Sequence, residues 1–302
     1  LVRIVFFGQS GPYAPPALRW LLRAGAPGEW SLVVEGLRRR ERAYHELQRP
    51  GRGPLPTGDS LRSLARAAGI PVLLTSDVNA PRALRTIARF RPDLLVCVGF
   101  DRLFSPALLR LAPKGGLNAH PSELPELRGP SPLFWALRFG HAGAAVSVHR
   151  LETGEDNGPL YAQQRFAFPQ QGTGGEIYKI AGHLAGKLLA RVLREAASDA
   201  LLGIPQDHTR ATRAPRPRPS DAQIEPETWG CEALLRFACG APFFARPWIS
   251  TPWGDYVVRT GVALQHGRPV PGSWMEWGGE LWVGYRDGSV GLALCGESAR
   301  RG

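Results

Sequence analysis

Asn118-Ala119-His120-Pro121-Ser122, with Asp156 further along the chain, brings a carboxamide, an imidazole and a carboxylate into one stretch of sequence. Those three groups suffice for acyl transfer to an amine. Such a transfer passes through a tetrahedral adduct, so its site needs donors for the new oxyanion and an acceptor for the amine's proton. If residues 117–121 end a strand, the period-two alternation puts Asn118 and His120 on the same face, aimed into one cleft. In this reading the Asn118 amide and the His120 imidazole hydrogen-bond the acyl oxygen. Asp156 either carries the proton from the amine or orients His120 or a water. A lone Asn-x-His at a strand end is more commonly a capped turn with a satisfied histidine. The surroundings argue for the active reading: Arg128-Gly129, the clustered prolines Pro125, Pro130 and Pro132, Asp156-Asn157-Gly158, and a preceding αβ pattern.

The elements that must position these groups are legible upstream. Residues 2–8 are a short apolar run closed by Gly8, the pattern of a buried parallel strand, and residues 17–23 carry helical spacing behind Pro15 and Pro16. Strands are expected at 30–34, 71–74, 93–98 and 144–150, and helices at 60–68 and 81–90. Strands and helices alternate, which predicts an α/β fold with a doubly wound, mostly parallel, Rossmann-like sheet. Gly8-Gln9-Ser10-Gly11 departs from the G-x-G-x-x-G dinucleotide pattern, and Pro12, Pro15 and Pro16 crowd the place where its helix starts. A NAD site is therefore not expected.

Past Gly203 the character of the chain changes. Residues 205–219 are basic and proline-rich, which suits a linker. Domains are expected at 1–202, 203–220 (the linker) and 221–302. A helix at 232–239 and short strands at 254–262, 280–285 and 289–294, parted by turns such as Arg286-Asp287-Gly288, suggest a smaller C-terminal β-barrel of the OB-like kind. Its tryptophans, Trp248, Trp253, Trp274, Trp277 and Trp282, suit a core better than base stacking.

The chain has 302 residues and a formal net charge of +11, which attracts polyanions. Arg210, Arg213, Arg216 and Arg218 concentrate some of that charge at the linker. Arg38, Arg39, Arg40, Arg42 and Arg52 lie in a long Gly- and Pro-containing connection, where guanidinium groups suit phosphate or simply face solvent. The four cysteines, Cys97, Cys231, Cys239 and Cys295, form no C-x-x-C, so neither a disulfide framework nor a metal site is indicated. No apolar run reaches membrane-spanning length, and residues 2–7 are too short for a signal peptide, so a cytoplasmic location without a membrane partner is expected. His149, in the strand expected at 144–150, should pack, hydrogen-bond, or border the acceptor pocket.

Gly115-Gly116-Leu117-Asn118-Ala119-His120-Pro121-Ser122-Glu123-Leu124-Pro125, Arg128-Gly129 and Gly154-Glu155-Asp156-Asn157-Gly158 together resemble the folate-dependent formyltransferases. The hallmark of that family is an Asn-x-His strand end, a Ser-Leu-Leu-Pro-like turn, an Arg-Gly and a later Asp-x-Gly. Residues 3–8 with their Pro-bearing turn, residues 67–73 and 91–104, and Pro205-Gln206-Asp207 with Ala211-Thr212 and Ala214-Pro215 look like methionyl-tRNA formyltransferases. The resemblance is strongest over 91–160 and weakest after 220.

The resemblance implies formyl transfer from 10-formyltetrahydrofolate to a primary amine, with Asn118, His120 and Asp156 catalytic and no metal. It implies folate contacts from Val98, Gly99, Phe100, Leu103, Gly154 and Glu155, although Phe100 equally suits core packing. Acceptor contacts fall to Arg38, Arg39, Arg40, Arg42, Arg52, Ser122 and Arg128, with initiator methionyl-tRNA meeting the basic loop and the C-terminal domain. Three departures bear on the acceptor. Glu123 stands at a usually apolar position, Pro130-Ser131-Pro132 replaces Ala-Ala-Pro, and Ala144-Ala145-Val146-Ser147 replaces Thr-Gly-Val-Thr. A small amine such as a nucleotide-linked amino sugar is the alternative acceptor. A non-catalytic RNA-binding homologue is a third reading, and the intact trio argues against it.

Overall fold

A strand whose every residue is apolar must be covered on both faces, and β5 (Leu94–Val98) is such a strand, buried throughout. It lies at the centre of an eight-stranded sheet in a computed structural model that describes residues 2–37, 45–51, 53–196, 202–225, 228–265, 273–277, 279–285 and 287–295. Arg38, Arg39, Arg40, Arg42, Arg52 and Arg286 lie outside the described residues. The elements run β1 (Arg3–Gly8), α1 (Ala14–Arg23), β2 (Glu29–Gly36), β3 (His45–Gln48), α2 (Leu61–Ala67), β4 (Val72–Thr75), α3 (Pro81–Arg89), β5, α4 (Pro106–Leu109), β6 (Gly116–His120), α5 (Pro132–Arg138), β7 (Gly143–Arg150), β8 (Leu160–Ala167) and α6 (Gly174–Ala196). The strand order is β3-β4-β2-β1-β5-β6-β7-β8. From β4 to β6 all neighbours are parallel, whereas β3 and β7 pair antiparallel with β4 and β6. The doubly wound, mostly parallel sheet expected from the alternation is present.

Phe6 and Phe7 on β1 are fully buried, and Phe7 joins Val34, Leu73, Ile87, Leu95 and Leu108 in one apolar cluster. Each such side chain contributes roughly 1.5–3 kcal/mol on burial. Three of the local features that differ from the expectation concern this sheet and its helices. Pro15 and Pro16 sit inside the first turn of α1, where a missing N–H removes no helical bond, so the helix begins at Ala14 rather than behind the prolines. The long basic connection contains strand β3, whose four residues pair with β4. The 23-residue α6 lies in a stretch for which no element was expected. It buries Ile177, Ala181, Ala185, Leu188 and Val192 along one face, at the spacing of a covering helix. Gly182 on that helix has no room for a side chain, since a Cβ would stand 2.4 Å from the Tyr13 carbonyl oxygen. Among the described residues, no helix is long and apolar enough to cross a membrane.

The remaining elements are β9 (Gln223–Ile224), α7 (Cys231–Gly240), β10 (Trp248–Thr251), β11 (Gly254–Gln265), β12 (Trp274–Trp277), β13 (Glu280–Gly284) and β14 (Ser289–Leu294). They build a second, six-stranded sheet in the order β12-β13-β14-β11-β10-β9, antiparallel except for β9 with β10. Helix α7 lies close on β11: a Cβ at Gly261 would meet Leu235 at 2.7 Å. The chain forms two compact units, one of Leu1–Gly129, Ala145–Arg165 and Lys179–Arg213, the other of Pro130–Ala144, Phe166–Tyr178 and Ala214–Gly302.

Candidate active site

Strand order reverses between β1 and β5, and in open α/β sheets the crevice outside the carboxyl ends at such a point is where ligands bind. Gly8 and Val98, the last residues of those two strands, are register partners, and Val98 is also paired with Ala119 of β6. The turn leaving β5 is tight. Gly99 has φ 60°, and a Cβ there would stand 2.9 Å from the Tyr13 ring. Tyr13, the residue before α1, donates its hydroxyl hydrogen to the Ala119 carbonyl at 2.9 Å. The ends of β5 and β6 and the start of α1 are thereby tied together.

Alternation on β6 does bring Asn118 and His120 to one face, and a third strand supplies a further imidazole. Asn118 is the register partner of His149 on β7. The Asn118 amide donates from Nδ2 to Asp156 Oδ1 at 3.0 Å, and Nδ2 also stands 3.1 Å from His149 Nε2. His149 Nδ1 lies 2.7 Å from the Arg150 carbonyl oxygen, which can only accept. The neutral ring therefore carries its proton on Nδ1 and accepts from Asn118 at Nε2. His120 Nε2 likewise donates to the Leu127 carbonyl at 3.0 Å, which leaves Nδ1 facing Asp156 Oδ2 at 3.4 Å. Asp156 Oδ2 also accepts from the Gly129 backbone N–H at 2.9 Å, and Oδ1 stands 3.4 Å from His149 Nε2.

Asp156 is the electrostatic centre of this group. Burial pushes its carboxyl up, but against protonated imidazoles the charge of His120, the hydrogen bond and charge of His149 and the Gly129 N–H together outweigh burial. They hold the carboxyl well below the usual carboxylate range, so it is an anion throughout the neutral region. Both histidines are buried, at 5% and 2% exposure, so water screens this cluster weakly. Chemically, the arrangement can present an amide donor to an oxygen, accept a proton at His120 Nδ1 and stabilise the cation that results.

Comparison with known proteins agrees with this chemistry. Residues 61–193 match the formyl transferase family. Methionyl-tRNA formyltransferase of Chloroflexus aggregans is 31% identical over 275 residues, covering 90% of this chain and 84% of that protein. This chain belongs to the formyltransferase family. Formyl transfer is its reaction class. Two solved structures share the fold of this formyltransferase. An N-formyltransferase from Helicobacter canadensis, in complex with folinic acid and dTDP-3-aminofucose, has a TM-score of 0.69 at 13% identity, covering 98% of this chain and all of that one. A variant of HypX from Aquifex aeolicus has a TM-score of 0.63 at 15% identity, with 96% of this chain matched to 45% of HypX.

The other residues expected at the formyltransferase site have varied surroundings. Ser122 is 1% exposed and donates to the Glu126 carbonyl, and its own carbonyl accepts from Ser147, so it braces a turn. Arg128 donates to Gln206 Oε1 at 2.6 Å and lies 3.0 Å from His208 Nδ1. Glu155 is paired with Arg213 at 2.7 Å, and a Cβ on Gly154 would collide with Asn157. Val98 is fully buried, the Phe100 ring stands edge-on to Phe7 and Phe104, and Leu103 is 58% exposed. Glu123, the acidic departure, is neutralised by Arg165 of β8. Two residues take places that the sequence announced only in part, for His149, or not at all, for Gln206. For His149 the signal was its place in a strand with the right alternation, readable only once that strand is paired with β6. Gln206 sits in Pro205-Gln206-Asp207, a stretch whose composition suggests only a linker, yet it donates to the carbonyls of Asp156 and Gly158.

Proposed function

We propose that this formyltransferase transfers a formyl group from 10-formyltetrahydrofolate to the amino group of methionyl-tRNA, with Asn118, His120 and Asp156 as its catalytic residues. The observation that carries the chemistry is the convergence of Asn118, His120 and His149 on one buried carboxylate, all within 3.0–3.4 Å. The acceptor reading draws on methionyl-tRNA formyltransferases such as that of Chloroflexus aggregans, which matches 90% of the chain rather than one segment. Half-buried Phe100, exposed Leu103 and the backbone of Val98 and Gly99 offer the apolar surface that suits the flat ring of a folate. When bound there, 10-formyltetrahydrofolate supplies an activated formyl carbon.

Each residue then has a defined task. Both amide hydrogens of Asn118 are engaged, so offering one to the formyl oxygen means giving up a bond. The bond to neutral His149 is the weaker, because the one to Asp156 is charge-assisted. His120 has Nε2–H committed to Leu127, so Nδ1 takes the proton from the attacking amine, directly or through a water, and returns it to the folate nitrogen as the bond from that nitrogen to the formyl carbon breaks. Asp156, held as an anion, assists that transfer by stabilising the imidazolium 3.4 Å away and orients Asn118.

A small amine is the second reading. One observation favours it: Arg128, Arg210 and Arg213, part of the basic character that suggests a polyanion, are engaged with protein partners. Folate release from 10-formyltetrahydrofolate, measured in parallel with methionyl-tRNA and with small amines including nucleotide-linked amino sugars, separates the two. Release that depends on methionyl-tRNA is expected. Release with a small amine alone would replace this acceptor.

A further inference from the structure

We propose that residues 204–213 are a positioning strap for formyl transfer, with Gln206 and Thr212 holding Asp156 and His120 at the separation that the reaction needs. Neither residue belongs to the reacting group, and the proposal rests on the reading of Asp156 and His120 given above. Gln206 is 6% exposed and has both ends of its amide in use. Nε2 donates to the Asp156 carbonyl at 2.9 Å and the Gly158 carbonyl at 2.7 Å, while Oε1 accepts from Arg128. Thr212 acts on the other partner. Its hydroxyl oxygen accepts from the Leu127 N–H at 2.9 Å, and the Leu127 carbonyl is the acceptor for His120 Nε2. The Thr212 carbonyl accepts from the Arg128 N–H at 2.9 Å, so one short segment grips both loops.

Backbone conformation points the same way. Leu127 and Asp156 have φ of 56° and 49°, in the left-handed region that a side chain disfavours, and Arg91 is the only other non-glycine with positive φ among the described residues. Such residues persist where surrounding bonds over-determine them. Two of the three lie where the strap bonds. The strap is itself anchored: Ile204 exchanges both backbone hydrogen bonds with Leu160, each at 2.8 Å. Arg210 and Arg213 close its far end on Glu126 and Glu155. Small misplacements of reacting groups are costly in rate, up to about 100-fold for an ångström, so a segment that fixes two of them acts on kcat.

The test uses the full chain with Gln206→Ala, Thr212→Val and Thr212→Ser, and Asp156→Asn alongside. Gln206→Ala should lower kcat by roughly tenfold or more with KM for the formyl donor changed less than about twofold. Thr212→Val, which keeps shape and loses the hydroxyl, should lower kcat by a few-fold, and Thr212→Ser should restore it. Wild-type kcat in Gln206→Ala, an effect on KM alone, or Thr212→Ser no better than Thr212→Val overturns the strap. The threonine pair decides the matter if Gln206→Ala does not fold. Loss of turnover in Asp156→Asn with wild-type kcat in the strap variants defeats the strap alone. Full turnover in Asp156→Asn defeats the assignment of the reacting groups and the strap with it.

Discussion

Asp156 and the three carboxylates on the loops around it make opposite use of opposite charge. Glu123, Glu126 and Glu155 each hold an arginine at 2.5–2.8 Å, closer than the 3.4 Å between Asp156 and either imidazole. Distance alone would rank the outer pairs first. Their arginine side chains are 65–78% exposed, however, so water and salt compete for both partners and the pairs contribute little. Asp156 has a side chain only 13% exposed, and its neighbours determine its protonation state. Environment, rather than separation, decides which carboxylate has its protonation state fixed by its neighbours. The outer pairs also balance Arg165, Arg210 and Arg213 locally, so a net charge of +11 overstates what these loops offer a polyanion.

The largest effect is expected at the centre. Asp156→Ala and His120→Ala should each lower turnover by at least ~100-fold, the scale of acid-base groups, in steady-state assays on folded protein. Because the two act as one pair, the double variant should be little worse than either single one, and multiplicative losses would split the pair. His149→Ala should cost up to roughly tenfold, since it removes one neutral hydrogen bond that orients the Asn118 amide. A wild-type rate would make His149 a spectator.

The acid dependence of stability sharpens the contrast. The Asp156 carboxyl is held low in the folded protein, so below about pH 5 the unfolded chain binds more protons than the folded one at this site. The stability it contributes is fully present above that range and drains away as the pH falls toward the folded value. Urea midpoints of wild type should therefore fall relative to those of Asp156→Asn between pH 5 and pH 3, on the order of the range where a carboxylate protonates. Parallel pH curves would show that Asp156 is not held low. The smallest effect belongs to the rim. Glu123→Gln should leave the melting temperature unchanged and activity within about twofold, and a large loss would elevate that pair to the status of Asp156.

What the sequence showed and what it hid divide along physical lines. Period-two alternation is local, so Asn118 and His120 could be put on one face from residues 117–121 alone. His149 is joined to Asn118 by strand pairing, a long-range relation that the strand's own pattern does not contain. Gln206 lay in a proline-rich basic run whose composition resembles a linker, and its bonds to Asp156 and Gly158 depend on loops distant in sequence. The helix expected behind Pro15 and Pro16 in fact starts at Ala14 and takes them into its first turn, because a helix's first turn has no use for those N–H groups. The buried strands were legible throughout, since an apolar run such as 94–98 has few other places to go.

Asp156, held as a buried anion between two imidazoles, is the group proposed to make formyl transfer possible. The direct test is the rate of formyl transfer from 10-formyltetrahydrofolate by wild type and Asp156→Asn, measured side by side with the acceptor that supports turnover. A rate at least ~100-fold lower in the variant, with its fold intact, is expected. A folded Asp156→Asn that turns over like the wild type would contradict it.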